Sequence, residues 1–271
     1  MNWLKTRILP LHTPVLWNLV EPMTPDTHEI TSEQYRQLLA GSVLPVRFRV
    51  LVAQTDLLIA AHADCSQEAY ASVRALRADI IDYAQKHPRF FDSLVPLPDD
   101  PSAPPIVRDM LKAAGKAGVG PMAAVAGAIA RHVGLALLPL SPEVIVENGG
   151  DVFMRADTPQ IFCVLAESAD LPSLKIRVAE VTPGQGIGVC TSSGRLGHSL
   201  SFGQADAVTI MAEDVSLADA LATAMANRVR NAEDISSVLR AALELGALGV
   251  LIIVDGKIGA AGMMRLHEES G

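Results

Sequence analysis

Asp219 and Thr223, within "SLADALATAMAN" (216–227), stand four residues apart, so a helix would carry them on one face. A carboxylate and a hydroxyl placed that way could offer oxygen ligands to a hard cation such as Mg2+, which takes few protein groups and keeps substrate phosphates and waters. The same stretch has a plainer reading. Ser216 and Asp219 fit the [ST]-x-x-[DE] capping pattern, which would explain Asp219 without any ligand, and spacing alone favours the cap.

Three other clusters invite a chemical reading. In "VIVENGGDVFMR" (144–155), Asn148-Gly149 between two apolar runs is a strong two-residue hairpin signal. Gly149 and Gly150 would also let a ligand approach the backbone, with Asp151 or Glu147 accepting a hydrogen bond from a ribose or base. Gly118-Val119-Gly120-Pro121 leads into a helix whose free amides could attract phosphate or carboxylate, or it is a tight interhelical turn. "CTSSGRLGHSLSFGQADAVTI" (190–210) packs Thr191, Ser192, Ser193, His198, Ser199 and Ser201 among glycines that include Gly194. Such a loop offers hydroxyl and amide donors to an anion, while no GxSxG pattern suggests a hydrolase nucleophile. Cys190 before it reads as a small buried residue ending a strand.

Composition narrows the partners. A formal net charge of -8 argues against nucleic acid or an anionic membrane surface and leaves a small molecule or another protein as the partner, with a homo-oligomer left open; the glycine and hydroxyl clusters make that small molecule an anionic metabolite or nucleotide. Hydrophobic residues make up 49% but aromatics only 4%, so Ala, Val, Leu, Ile and Met must fill the core and backbones must pack closely. Cys65, Cys163 and Cys190 are too few and too scattered for a disulfide framework or a zinc site, which suits a reducing cytoplasm. Pro10 and His12 interrupt the first apolar run, so no signal peptide is read there. Val119 to Leu140 contains Arg131 and His132 and is expected to be a buried helix, not a membrane span.

These groups need elements to position them. Residues 1–34 form an irregular Pro- and Thr-rich leader, and a domain is expected over 35–271. The alternation in 46–63 predicts two strands with Gln54-Thr55-Asp56 as the turn, and Ser66 is placed to cap a helix ending before Pro88. A proline-rich loop, a helix closed by glycines and a helix opening at Pro121 follow. Strands are then predicted at "EVIVEN", "DVFMR", "QIFCVLA", "LKIRVAE", "GIGVCTSSG" and "ADAVTIMA", next two helices from Ser216 and Asp234, and last a hairpin turning at Asp255-Gly256. Helices in pairs between strand pairs favour an α+β architecture with a pseudo-repeat over a doubly wound parallel sheet.

Taken in order, "QTDLLI", "GVGPMAAVAGAIA", "VENGGDVF", "CTSSGRLGHSLSFGQADAVTI" and "LADALATAMAN" resemble the uncharacterised soluble family beside the ApbE flavin transferases, over about 35–262. The resemblance implies an ApbE-like fold of two fused tunnelling-type (T-fold) units. ApbE proteins bind FAD and Mg2+ and move FMN onto a threonine of a target protein. By motif, Asp219 and Thr223 fall on the metal-binding aspartate and threonine, with Asp219 the catalytic candidate. Gly149, Gly150 and Asp151 fall on the nucleotide-side turn, and Thr191, Ser192, Ser193 and Gly194 on the "TSG" loop. The chain departs from the pattern at Ala126-Gly127, where ApbE proteins typically carry Lys-Gly, and it lacks a lipoprotein signal. Two functions follow as expectations: a Mg2+-dependent flavin-nucleotide transferase or hydrolase using FAD or FMN, or a non-catalytic module holding an anionic metabolite. The soluble family looks linked, in anaerobes, to sulfide assimilation into homocysteine.

Overall fold

A computed structural model describes residues 44–165, 173–178, 186–193 and 203–266. The leader expected over 1–34 lies outside them. The first half of the chain runs β1 (Val46–Val52), β2 (Thr55–Ala61), α1 (Ser66–Lys86), α2 (Pro105–Ala117), α3 (Val125–Leu137), β3 (Val144–Asn148) and β4 (Asp151–Arg155). A strand pair, β5 (Gln160–Leu165) and β6 (Ser173–Val178), follows. The second half runs β7 (Ile187–Ser192), β8 (Ala207–Ala212), α4 (Val215–Ala226), α5 (Ile235–Glu244), β9 (Gly249–Val254) and β10 (Lys257–Gly262), with a short β11 (Arg265–Leu266).

Eight strands form one antiparallel sheet in the order β1-β2-β3-β4-β7-β8-β9-β10, and β4 against β7 joins the halves. Each half runs strand pair, helices, strand pair, as the sequence pattern predicts, with the three main helices of the first half where the sequence places them and so one more than a strict pair. The helices cover one face. The other face is covered by a three-stranded sheet of order β11-β6-β5, which strand prediction alone does not reveal.

Alternation along each strand therefore feeds two cores. Leu57, Ile59, Val146, Phe153, Cys190 and Ile210 enter the helix-side core, whereas Ile145, Val152, Met154, Val189 and Met211 pack with Phe162, Val164 and Ile176 of the small sheet. Coverage on both faces is why β3, β8 and β9 are buried throughout and read as continuous apolar runs.

Small residues allow the close packing that the low aromatic content implied. A Cβ at Gly188 of β7 would lie 2.7 Å from Val215 Cα, and one at Gly127 of α3 would lie 2.7 Å from Val215 O. The sheet and α3 thus both press on the first turn of α4. As expected, α3 is a core helix: Ala128, Ala130, Val133 and Leu137 have no exposure. No single helix among the described residues is long and apolar enough to cross a membrane, and α2 is bent by 105° from the helical segment Pro121–Leu137.

Three local expectations shift. The β1–β2 turn is Ala53-Gln54, because Val52 pairs with Thr55 and Thr55 and Asp56 already belong to β2. Ser66 is the first residue of α1, its N–H held at 2.9 Å by the Asp64 carboxylate, and does not cap the helix. The cap of α4 is Asp214, which accepts from the N–H groups of Ser216 (3.0 Å) and Leu217 (3.4 Å). The Ser216–Asp219 capping box does not form, since Ser216 Oγ is buried without a hydrogen-bond partner.

Candidate functional site

With its capping role gone, Asp219 needs another account. Its carboxylate points from α4 at the start of α3, where Oδ2 accepts from the Gly127 N–H at 2.8 Å and the Ala126 amide also stabilises its charged form. Only a residue without Cβ allows this, because a Cβ at Gly127 would lie 2.8 Å from Asp219 Cβ. Asn148, the last residue of β3, ties the same helix start to the sheet by donating to Ala126 O at 3.0 Å.

The two-residue loop of the neighbouring hairpin is Gly149-Gly150, one position later than the Asn148-Gly149 signal suggests, because Asn148 and Asp151 pair as the last rung. Both glycines have positive φ, 64° and 102°, as a tight turn of this hand requires. Glu147 is bent beneath the turn and accepts from the Gly150 N–H at 2.8 Å. Burial pushes its carboxyl up to about 7 against that bond. Glu147 thus braces the turn.

Asp151 lies on the helix side of β4, the side of Phe153, and is 8% exposed, as is Asp219. The Cys190 thiol donates to Val215 O at 3.6 Å and the Thr191 amide to Gly150 O at 3.3 Å, and although both groups favour the charged form of Asp151, its Oδ1 is buried with no partner. Burial pushes Asp151 well above the usual carboxylate range, and the charge of Asp219 pushes it further. Burial also lifts Asp219, to about 7, despite its two amide bonds. Two desolvated carboxylates in each other's field cannot both ionise cheaply without a cation or protons. Burial likewise pushes the Cys190 thiol up, so it is a hydrogen-bond donor here and not a thiolate.

The remaining predicted site residues divide. Thr223 follows Asp219 by one turn of α4 and is half-buried. Ser192 shares the helix side with Cys190 by strand alternation, but Thr191 faces the other way and hydrogen-bonds Thr209 at 2.9 Å. Ser193, half-buried, points toward Ala205 O at 3.5 Å. Gly194 and His198 lie outside the described residues, as do Ser199 and Ser201. Gly118 closes α2 with φ 79°, and Gly120 packs so tightly that a Cβ would lie 1.7 Å from Ser93 O. Those structural tasks account for both glycines. Asn148, Gly127 and the Cys190 thiol were missed as site residues. Asn148 belongs to the turn signal, and the other two are small apolar-looking residues whose partners, Asp219 for Gly127 and Val215 for Cys190, lie 92 and 25 positions away.

An antiparallel sheet with helices on one face, and buried acids where α3, α4 and the sheet end meet, places the molecule in a known structural class. Its fold is similar to that of the flavin transferase ApbE from Vibrio cholerae, with a TM-score of 0.55 and 13% identity, over 80% of this chain and 96% of that one. It is also similar to the ApbE protein of Thermotoga maritima, with a TM-score of 0.51 and 15% identity over the same shares. At such identities the likeness concerns the fold alone. Residues 36–255 match the family model described as AbpE bacteria. A UPF0280 protein of Methanopyrus kandleri is 44% identical over 72% of this chain and 79% of its own, and one of Methanocaldococcus jannaschii is 35% identical over 79% and 89%. The chain belongs to this ApbE-like family, and its curated relatives carry the UPF0280 name.

Proposed function

We propose that the chain binds a flavin nucleotide such as FAD through Mg2+ held by Asp151 and Asp219, and transfers or hydrolyses its FMN part. The unpartnered Oδ1 of Asp151 beside the buried Asp219 carries this reading. An oxygen in that state fits a hard cation, and Thr223 could add a hydroxyl from the next turn of α4. Among the described residues no three His, Cys, Asp or Glu side chains form a metal site by themselves, so the coordination would be completed by ligand oxygens and water. A divalent cation in this position would offset pyrophosphate charge as the P–O bond breaks. The chain's part is to hold Asp219 with the Gly127 and Ala126 amides, to fix Asp151 by the pairing of β4 with β7, and to keep water away by burying both.

On the same reading the two halves of the large sheet are fused T-fold units, residues 35–271 form one ApbE-like domain after a leader, and the protein works in the cytoplasm. Purified protein incubated with FAD and Mg2+ should release FMN or AMP, and Asp219→Asn should abolish the release. Absence of turnover with FAD, with or without candidate acceptor proteins, would remove the catalytic part.

One observation favours a second, non-catalytic reading. Ala126 stands beside Asp219 where the ApbE pattern carries lysine, so α3 brings no side-chain cation to the ligand at that point. A module that holds a flavin or another anionic metabolite, for instance in anaerobic sulfur assimilation, would then show Mg2+-dependent binding and no products.

A further inference from the structure

The end of α1 builds a cavity in which the acid pair has no part. His87 closes α1, Pro88 follows, and a single helical turn, Arg89–Asp92, leads into the proline-rich loop. Rings lock this corner: His87 stacks on Tyr83 with centroids 4.2 Å apart, and Phe90 meets Tyr83 edge-on at 5.1 Å. The Tyr83 hydroxyl donates to Asp100 Oδ2 at 3.0 Å, while Asp100 Oδ1 accepts from the Ser102 N–H at 2.9 Å and the Ser102 hydroxyl at 2.6 Å. The loop is thereby pinned to α1.

Between the end of α1, this loop and α2 lies a cavity of about 450 Å3, within the range of roughly 300 to 1,000 Å3 usual for small-molecule sites. Phe90 and Leu111 line it, 0% and 2% exposed, together with half-buried Leu97. Its charged lining has both signs. Arg89 and Asp99 line the same cavity, yet no ion pair joins them, and neither side chain has a hydrogen-bond or charged partner among the described residues. Asp100 adds a second carboxylate that keeps its charge, because the bonds from Ser102 and Tyr83 hold it below the usual carboxylate range.

Opposite charges that line one cavity without touching are both satisfied by a ligand that carries both. A simple anion would face two carboxylates, and a simple cation would face the guanidinium, so each would meet a repulsive partner. We infer that this cavity binds a free α-amino acid with an aliphatic side chain. Arg89 takes the carboxylate, which its planar fork suits, and Asp99 takes the ammonium in the negative field of Asp100. Leu97, Phe90 and Leu111 take the side chain. Tyr83 and Ser102 are positioning residues, since they fix Asp100 and the loop that carries Asp99. Neither Asp151 nor Asp219 lines the cavity, so the inference does not depend on the proposed metal site.

The test is calorimetric titration of full-length protein with L-leucine and three analogues: 4-methylpentanoate, which lacks the ammonium, 3-methylbutylamine, which lacks the carboxylate, and glycine, which lacks the side chain. Wild type should bind L-leucine about 10-fold or more tightly than each analogue, the scale of one charge-assisted contact or one buried aliphatic side chain. Arg89→Met should weaken L-leucine by about 10-fold and leave 3-methylbutylamine within about twofold. Asp99→Asn should weaken L-leucine to a similar degree and leave 4-methylpentanoate unchanged. Such opposite patterns cannot come from a general loss of structure, and both residues are exposed enough to be replaced without unfolding the chain. Absence of L-leucine binding to wild type overturns the inference. So does an analogue that binds as tightly as L-leucine, which would mark a site for a simple anion, a simple cation or a bare zwitterion, and so does unchanged L-leucine affinity in either substitution.

Discussion

The buried acids make the protein's stability depend on pH in a direction opposite to that of ordinary surface carboxylates. Asp219 has a pKa near 3.8 when exposed and about 7 in the fold, where burial is the main cause. Between those values the folded state holds a proton that the unfolded chain releases, so stability is greatest near the lower value and falls as pH rises toward the upper one. One group costs at most about 1.4 kcal/mol per pH unit, and the three-unit interval amounts to about 4 kcal/mol. Glu147, lifted from 4.5 to about 7 mainly by burial, acts in the same sense. For a domain of this size about 4 kcal/mol corresponds to a fall in Tm of roughly 8 to 16 °C.

Mg2+ should remove most of that fall, because it binds the ionised pair in the folded state and not in the unfolded chain. Thermal denaturation followed by fluorescence from pH ~4 to ~8, in EDTA and in saturating Mg2+, measures both effects. The EDTA profile should decline toward pH ~7 and the two profiles should separate progressively over the same range. Asp219→Asn keeps an oxygen for the Gly127 amide and removes the charge, so it should flatten the EDTA profile and abolish the Mg2+ response. A wild-type EDTA profile that rises toward neutrality, or an Asp219→Asn profile as steep as wild type, would refute the reasoning.

Other substitutions separate packing from ligand binding. Gly127→Ala should destabilise by about 1 to 3 kcal/mol and suppress Mg2+ binding, since the new Cβ would meet Val215 O and Asp219 Cβ inside 3 Å; urea denaturation and calorimetry check the two parts. Asp214→Ala should cost about 1 kcal/mol by removing the cap of α4 while leaving Mg2+ affinity unchanged. Ser216→Ala, in contrast, should be neutral or slightly stabilising in the same denaturation assay, because it deletes a buried oxygen that has no partner. Asp151→Asn should abolish Mg2+ binding with the fold retained in circular dichroism.

Much of the fold was legible because local rules agree with it. Alternation and turn residues located the strand pairs, Asp255-Gly256 turns the last hairpin with Asp255 at φ 49°, and Gly118 closes α2 in the left-handed conformation. The small sheet over the second face was not legible, because β5 and β6 read as strands but which strands they pair with, and the pairing of the two-residue β11, depend on tertiary contacts. The capping-box reading failed for a local reason: Asp214, just before Val215, competes successfully for the free amides of α4 and releases Asp219 to face α3. Thr191 and Ser192 were grouped as neighbours, but neighbouring strand residues point to opposite faces, so only one can look toward the acid pair.

By itself the sequence determined the alternation of strand pairs and helices, an acidic chain with little aromatic bulk, and a family resemblance in which Asp151, Asp219 and the glycine turn stand out. Each of these depends on residue type, local spacing or motif order. Only the tertiary structure brought Asp151 and Asp219 together from 68 positions apart, left Asp151 Oδ1 without a partner, and joined the end of α1, the proline-rich loop and α2 around one cavity. Burial and charge proximity are properties of the packed chain, and they make two ordinary aspartates a candidate cation site.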